Sequence, residues 1–276
     1  MGSKVKTLQY LVPCIHKFKV PDLLSLDISA YREEPLAHVN KIMQKFVDCI
    51  IVIRSSAADE DGQKKSSAGE YKTVLNVPSN SQEKITKAID NVIFSYEKKR
   101  PLLLDDRVII QVMVENTTMS GVIFTHDLNT GAPYYVINYD DQSGLTDTVT
   151  SGGGEYANRT LYVHRDSIDK LRSERFIKLL QAVQELERVM ESQFLDIEFA
   201  FGQDLTPYLL QVRAITTQPN WNRAVSKQID TSLRGVQAFV TERFKKISGV
   251  YGKSTLLGQM PDWNPVEMIG RAPRAL

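Results

Sequence analysis

The chain has 276 residues, a formal net charge of +1, 42% apolar and 24% charged residues. That length can bury a core as one large domain or two lobes, and the near-neutral balance leaves no electrostatic footprint for nucleic acid or an anionic membrane. No apolar stretch reaches bilayer length, and the two cysteines, Cys14 and Cys49, form no metal or disulfide framework, so the expected setting is reducing, cytoplasmic and without a membrane partner.

The first predicted element is a short buried strand, Ile50–Ile53, which leads into a polar loop, Arg54–Gly69; a strand at Thr73–Val77 follows. Ser79 with Gln82 makes a capping-box pattern, and Ile85, Ala88, Ile89, Val92, Ile93 and Tyr96 fall on one face of the helix after it. Arg107–Val114, Gly121–Phe124 and Pro133–Asn138 are strand-like, separated by the Asn, Thr and Gly of turns. A helix is expected from Ser173 to about Ser192, with Phe176, Leu179, Leu180, Val183, Leu186 and Met190 inward. Strands Asp196–Phe201 and Pro207–Arg213 come next, then a helix over Asn222–Ile247 and a Pro-rich tail, Gly258–Leu276. The class is mixed α and β with antiparallel hairpins.

The last two strands carry the strongest chemistry. Residues two apart on a strand share a face, so Asp196 and Glu198 lie together, as do Leu209, Gln211 and Arg213. The short Gly202–Thr206 connection favours a hairpin. With Glu198 opposite Gln211, Asp196 falls opposite Arg213. Two such carboxylates suit Mg²⁺, a hard ion that shares ligands with phosphates, and the neighbouring guanidinium suits a phosphate oxygen. Taken alone, the pattern fits an ordinary half-exposed hairpin with a cross-strand salt bridge still better.

Two other segments add to it. In the stretch from Arg54 to Gly69, small hydroxyl residues and Gly allow backbone N–H groups to approach phosphate, beside a fixed guanidinium; a surface loop has the same composition. The buried strand Arg107–Val114 ends in Gln111 and Met113, which could present backbone groups and an apolar wall to a flat ring, or be core only. Gly252-Lys253-Ser254 lacks the upstream Gly of a P-loop, and the glycine run after Ser151 lacks dinucleotide-loop spacing.

In this order, the segments Arg54-Ser-Ser-Ala with Glu60-Asp61, Ser67-Ala-Gly, Gln111-x-Met-Val, Ser120-Gly-Val-x-Phe-Thr, Asp196-x-Glu and Gln211-x-Arg-x-x-Thr resemble the nucleotide-binding domain of the phosphoenolpyruvate synthase and pyruvate phosphate dikinase family. The resemblance covers about residues 1–219. It implies an α+β ATP-grasp fold of two lobes, with mixed or antiparallel sheets and ATP between them. The implied division is a lobe over 1–110 with a phosphate-covering loop at 54–70, a lobe over 111–219 with the metal hairpin, and a linker over 220–276. By the same resemblance, Lys4, Arg54 and Arg213 act catalytically on the ATP phosphates. Ser67, Ala68 and Gly69 form part of the covering loop, Gln111, Met113 and Val114 line the adenine pocket, Gln211 joins Arg213 at the phosphates, and Asp196 and Glu198 hold Mg²⁺.

The tail from Met260 to Gly270 is similar to a branch of dikinase-like small-molecule kinases that includes the glutamine kinase of capsule phosphoramidate synthesis. Family enzymes pass phosphoryl through a histidine in a Gly-rich segment with a preceding Ser. His16, His38, His126 and His164 have no such context. The carrier domain and the site for a small-molecule acceptor are therefore expected outside this chain, with oligomeric state open. The alternatives are an ATP-grasp ligase releasing ADP and a non-catalytic nucleotide-sensing module.

Overall fold

The computed structural model describes residues 4–57, 71–144, 159–215 and 223–243. Ser67, Ala68 and Gly69, the Ser151 glycine run and the Pro-rich tail lie outside the described residues.

One antiparallel sheet comprises β1 (Leu23–Asp27), β2 (Ile50–Ser56), β3 (Thr73–Pro78) and β4 (Arg107–Val112), in the order β1-β4-β2-β3. Alternation sets its faces. Leu26, Ile51, Ile53, Val108 and Ile110 point into one core, closed by α2 (Ile28–Glu33), α3 (Pro35–Lys45) and α4 (Gln82–Glu97). Val52 and Arg54 of β2, with Ile109 and Gln111 of β4, take the opposite face.

All six predicted inward residues of α4 are buried. Its cap, however, is Ser81, whose hydroxyl accepts from Lys84 N at 3.4 Å. Ser79 is instead buried and joins strand ends: its hydroxyl accepts from Cys49 N at 3.0 Å, and its own N–H donates to the Cys49 carbonyl at 2.9 Å. Tyr96, at the other end of α4, ties β2 to β4. Its hydroxyl accepts from Ser56 N at 2.7 Å and donates to the Arg107 carbonyl at 2.7 Å.

A second antiparallel sheet comprises β5 (Met119–Phe124), β6 (Tyr134–Asp140), β7 (Arg159–His164), β8 (Leu195–Phe201) and β9 (Pro207–Ala214), in the order β7-β6-β5-β8-β9. Ile123, Ile137, Ile197, Phe199 and Leu209 form its core with Leu179, Leu180, Val183 and Leu186 of α5 (Glu174–Val189). Neither β7 nor the 3₁₀ turn after it, Arg165–Lys170, is among the sequence-predicted elements.

A further unpredicted helix, α1 (Lys4–Leu11), also belongs to this core. Leu8 and Leu11 enter it with Ile15 and Phe18. The chain then runs beside β9, where Lys19 N donates to the Pro207 carbonyl at 2.9 Å and Leu209 N donates to the Lys19 carbonyl at 3.0 Å. Thus the first turns of the chain pack on the second sheet, although chain order groups them with the first lobe. Helix α6 (Arg223–Arg243), close to the helix expected over Asn222–Ile247, belongs to a separate unit.

Candidate functional site

The pairing on which the sequence reading is conditioned is present: Glu198 lies opposite Gln211, and Asp196 opposite Arg213. One detail differs. The register shifts between Glu198 and Phe199, because β9 carries an extra residue, Leu210, between Leu209 and Gln211. Such a bulge reverses side-chain parity beyond it. Leu209 therefore faces the core beside Phe199 instead of sharing a face with Gln211 and Arg213. Gln211 and Arg213 project with the two carboxylates.

Two arginines close on those carboxylates from different directions. Arg213 donates to Asp196 Oδ2 from Nε at 2.7 Å, and its Nη2 lies 2.5 Å from the same oxygen. Arg54 reaches across from the first sheet. Its Nη2 donates to Glu198 Oε2 and to Gln211 Oε1, both at 3.0 Å, and its Nη1 reaches the Leu210 carbonyl at 3.5 Å. The bulge that orients Gln211 thus also supplies a backbone acceptor, which no side-chain pattern in the sequence signals. Lys4, the first residue of α1, is buried and adds a third positive charge near Asp196 and Glu198.

The two carboxyls are tuned in opposite directions. Burial pushes the Asp196 carboxyl above its ordinary range, outweighing the pull of Arg213. Burial acts on Glu198 in the same sense, but Arg54, Lys4 and Arg213 together hold it below the ordinary range. Opposed environments of this kind concentrate at functional sites, although structural ion-pair networks produce them too.

Gln111 lies on the same face of its sheet as Arg54, in register with Val52. It is only 1% exposed, and its Nε2 has no hydrogen-bond partner among the described residues. An unsatisfied buried amide donor costs free energy unless something else supplies an acceptor. Met113 follows, with its N–H donating to the Ile50 carbonyl at 2.9 Å, and the Val114 carbonyl accepts from Thr117 Oγ1 at 3.0 Å. Met113 and Val114 therefore sit where the chain leaves β4 for β5, between the two sheets. Of the predicted site residues, Lys4, Arg54, Asp196, Glu198, Gln211 and Arg213 come together as one charged cluster.

Paired carboxylates and arginines drawn from two sheets thus form one part-buried polar cluster, with Gln111 on the same sheet face as Arg54. This chain belongs to the pyruvate phosphate dikinase, AMP/ATP-binding domain family, whose model matches residues 9–154. The match includes Arg54 and Gln111; the Asp196–Arg213 hairpin lies beyond it. The fold class inferred from the sequence, α+β ATP-grasp with two antiparallel sheets, accords with that membership.

The chain is 27% identical over 208 residues to the prodigiosin synthesizing transferase PigC of Serratia marcescens, a match that covers 61% of this chain and 23% of that protein. It thus spans about a quarter of the curated relative. Among solved structures it is similar to D-alanyl-alanine synthetase A from Vibrio cholerae, with 14% identity, TM-score 0.44 and coverage of 76% of this chain and 54% of that one. It is also similar to the D-alanine–D-alanine ligase from Bacillus anthracis, with 15% identity, TM-score 0.41 and coverage of 83% and 62%. Among the described residues no helix is long and apolar enough to cross a membrane.

Proposed function

We propose that this chain is the ATP-binding domain of a dikinase-like small-molecule kinase. In this reading a carrier histidine outside the chain attacks the β-phosphorus of ATP and takes up the pyrophosphoryl group as AMP leaves; the γ-phosphoryl then passes to water or phosphate, and the β-phosphoryl reaches a small acceptor such as glutamine or pyruvate. The observation that carries the reading is the cross-sheet cluster. Arg54 from one sheet meets Glu198 and Gln211 from the other, beside the Asp196–Arg213 pair and Lys4. Family membership supports the ATP-binding part.

The donor set fits a hard divalent ion. Asp196 and Glu198 supply carboxylate oxygens from one face of one strand, and the remaining ligands are left to phosphate and water. Mg²⁺ would neutralise charge that develops on the phosphate oxygens. Arg54, Arg213 and Lys4 would orient the triphosphate and stabilise the same charge, since catalysis of phosphoryl transfer is mostly positioning and electrostatics. Gln111 would give its unused amide donor to the base, walled by Met113 and Val114. Ser67, Ala68 and Gly69 would cover the phosphates.

Product analysis in the full-length protein tests the reaction. With ATP and acceptor, AMP should accumulate and labelled β-phosphoryl should reach the acceptor. ADP as the nucleotide product would instead indicate direct γ-transfer of the ligase kind, and ATP binding with neither product would indicate a sensing module.

A further inference from the structure

The charged cluster has an internal balance with consequences for how it fills. Glu198 is engaged by Arg54, which also donates to Gln211 Oε1 and reaches the bulge carbonyl of Leu210. Asp196 is engaged by two nitrogens of Arg213. With Lys4 close by, two carboxylates face three basic side chains among the described residues. We propose that Arg54 is the resident counter-cation of Glu198, so that the carboxylate pair accepts a divalent metal only together with the triphosphate that draws Arg54 away. This inference rests on the ATP-binding reading above.

A bare divalent ion would enter a cluster whose two carboxylates are already engaged by Arg54 and Arg213, and like charges at close range repel strongly where water is partly excluded. It would also have to displace Arg54, leaving a half-buried guanidinium without its anionic partner, which is costly. A triphosphate removes both obstacles. Its oxygens match the guanidinium fork, so Arg54 exchanges one anion for another while Glu198 is released to the metal. Because Arg54 stands on β2 and Glu198 on β8, the exchange also transfers a contact between the two sheets onto the ligand. Metal and nucleotide then strengthen one another by the same factor, as linkage requires.

Equilibrium dialysis of the full chain, counting protein-bound Mn²⁺ with and without ATP, tests this. The wild-type chain should bind Mn²⁺ alone far more weakly than Mn²⁺ with ATP, by about a hundredfold. Arg54→Met should raise affinity for Mn²⁺ alone by about tenfold, since even at water-like screening a unit charge about 5 Å from a divalent ion is worth that much. It should also weaken binding of ATP with Mn²⁺. Arg54→Lys, which keeps the charge, should leave the affinity for Mn²⁺ alone near wild type. Equal wild-type affinity for Mn²⁺ with and without ATP would overturn the inference while leaving the ATP-binding reading intact, and this comparison stands even if Arg54→Met does not fold. Absence of any Mn²⁺–ATP binding would overturn that reading and this inference together.

Discussion

Gln111 shows how a single side chain can separate binding from stability. Its amide nitrogen is buried without a partner among the described residues, and a buried donor left unmatched bears the cost of a lost hydrogen bond. Gln111→Met keeps the shape and removes the donor. Thermal melting should show the variant at least as stable as wild type, by up to about 1 kcal/mol, while calorimetry shows ATP affinity reduced about five- to tenfold. A loss of stability with unchanged affinity would assign Gln111 to the core instead. His126 gives a second residue-scale expectation. Burial and the nearby Arg165 charge lower its pKa from 6.5 to about 4, and its Nδ1 lies 2.9 Å from the Gln193 carbonyl. Between those two values the unfolded chain binds the extra proton and the folded chain does not, so stability falls as pH is lowered through that window. Urea midpoints at pH 7 and pH 5 should diverge less in His126→Phe than in wild type; identical divergence would remove His126 as the cause.

At the scale of elements, legibility followed local geometry. The Asp196–Arg213 pair could be read from the sequence only on the condition that Glu198 lies opposite Gln211, because alternation then fixes its partner; without the bulge, the five-residue connection would set Glu198 opposite Leu210. The bulge at Leu210 could not be read, because in a Leu-Leu pair neither residue announces itself as the extra one. Helix α1 was missed because eight residues give a weak periodic signal, although Val5, Leu8 and Leu11 follow it; its burial comes from a sheet more than a hundred residues away in sequence. Ser79 and Ser81 are both suitable caps by type, and only the strand-end contacts of Ser79 decide between them. The Ser120-Gly-Val segment has a sharper physical reason. A Cβ on Gly121 would lie 2.1 Å from the Asn138 carbonyl oxygen, so β5 and β6 can approach only with glycine there. Gly121→Ala should cost about 1–3 kcal/mol in urea denaturation, as overpacking does; a variant of wild-type stability would show that the strands yield without cost.

For the whole molecule, the two-sheet arrangement explains why the site is assembled from distant segments. The first sheet contributes Arg54 and Gln111, the second contributes the carboxylate hairpin, and α1 carries Lys4 to the same place. The chain spans 23% of its curated relative, and the proposed transfer step needs a histidine that none of its own four supplies in the expected context. Binding is therefore what this chain is proposed to contribute, with Arg54, Asp196, Glu198, Gln211 and Arg213 as its metal–nucleotide site. Titration of the folded chain with Mg-ATP in a calorimeter, alongside Glu198→Ala, tests it most directly. Wild type should bind saturably and the variant should lose about ten- to a hundredfold in affinity, the range expected for removing a charged partner; no heat of binding to folded wild-type chain, or undiminished affinity in Glu198→Ala, would rule the site out.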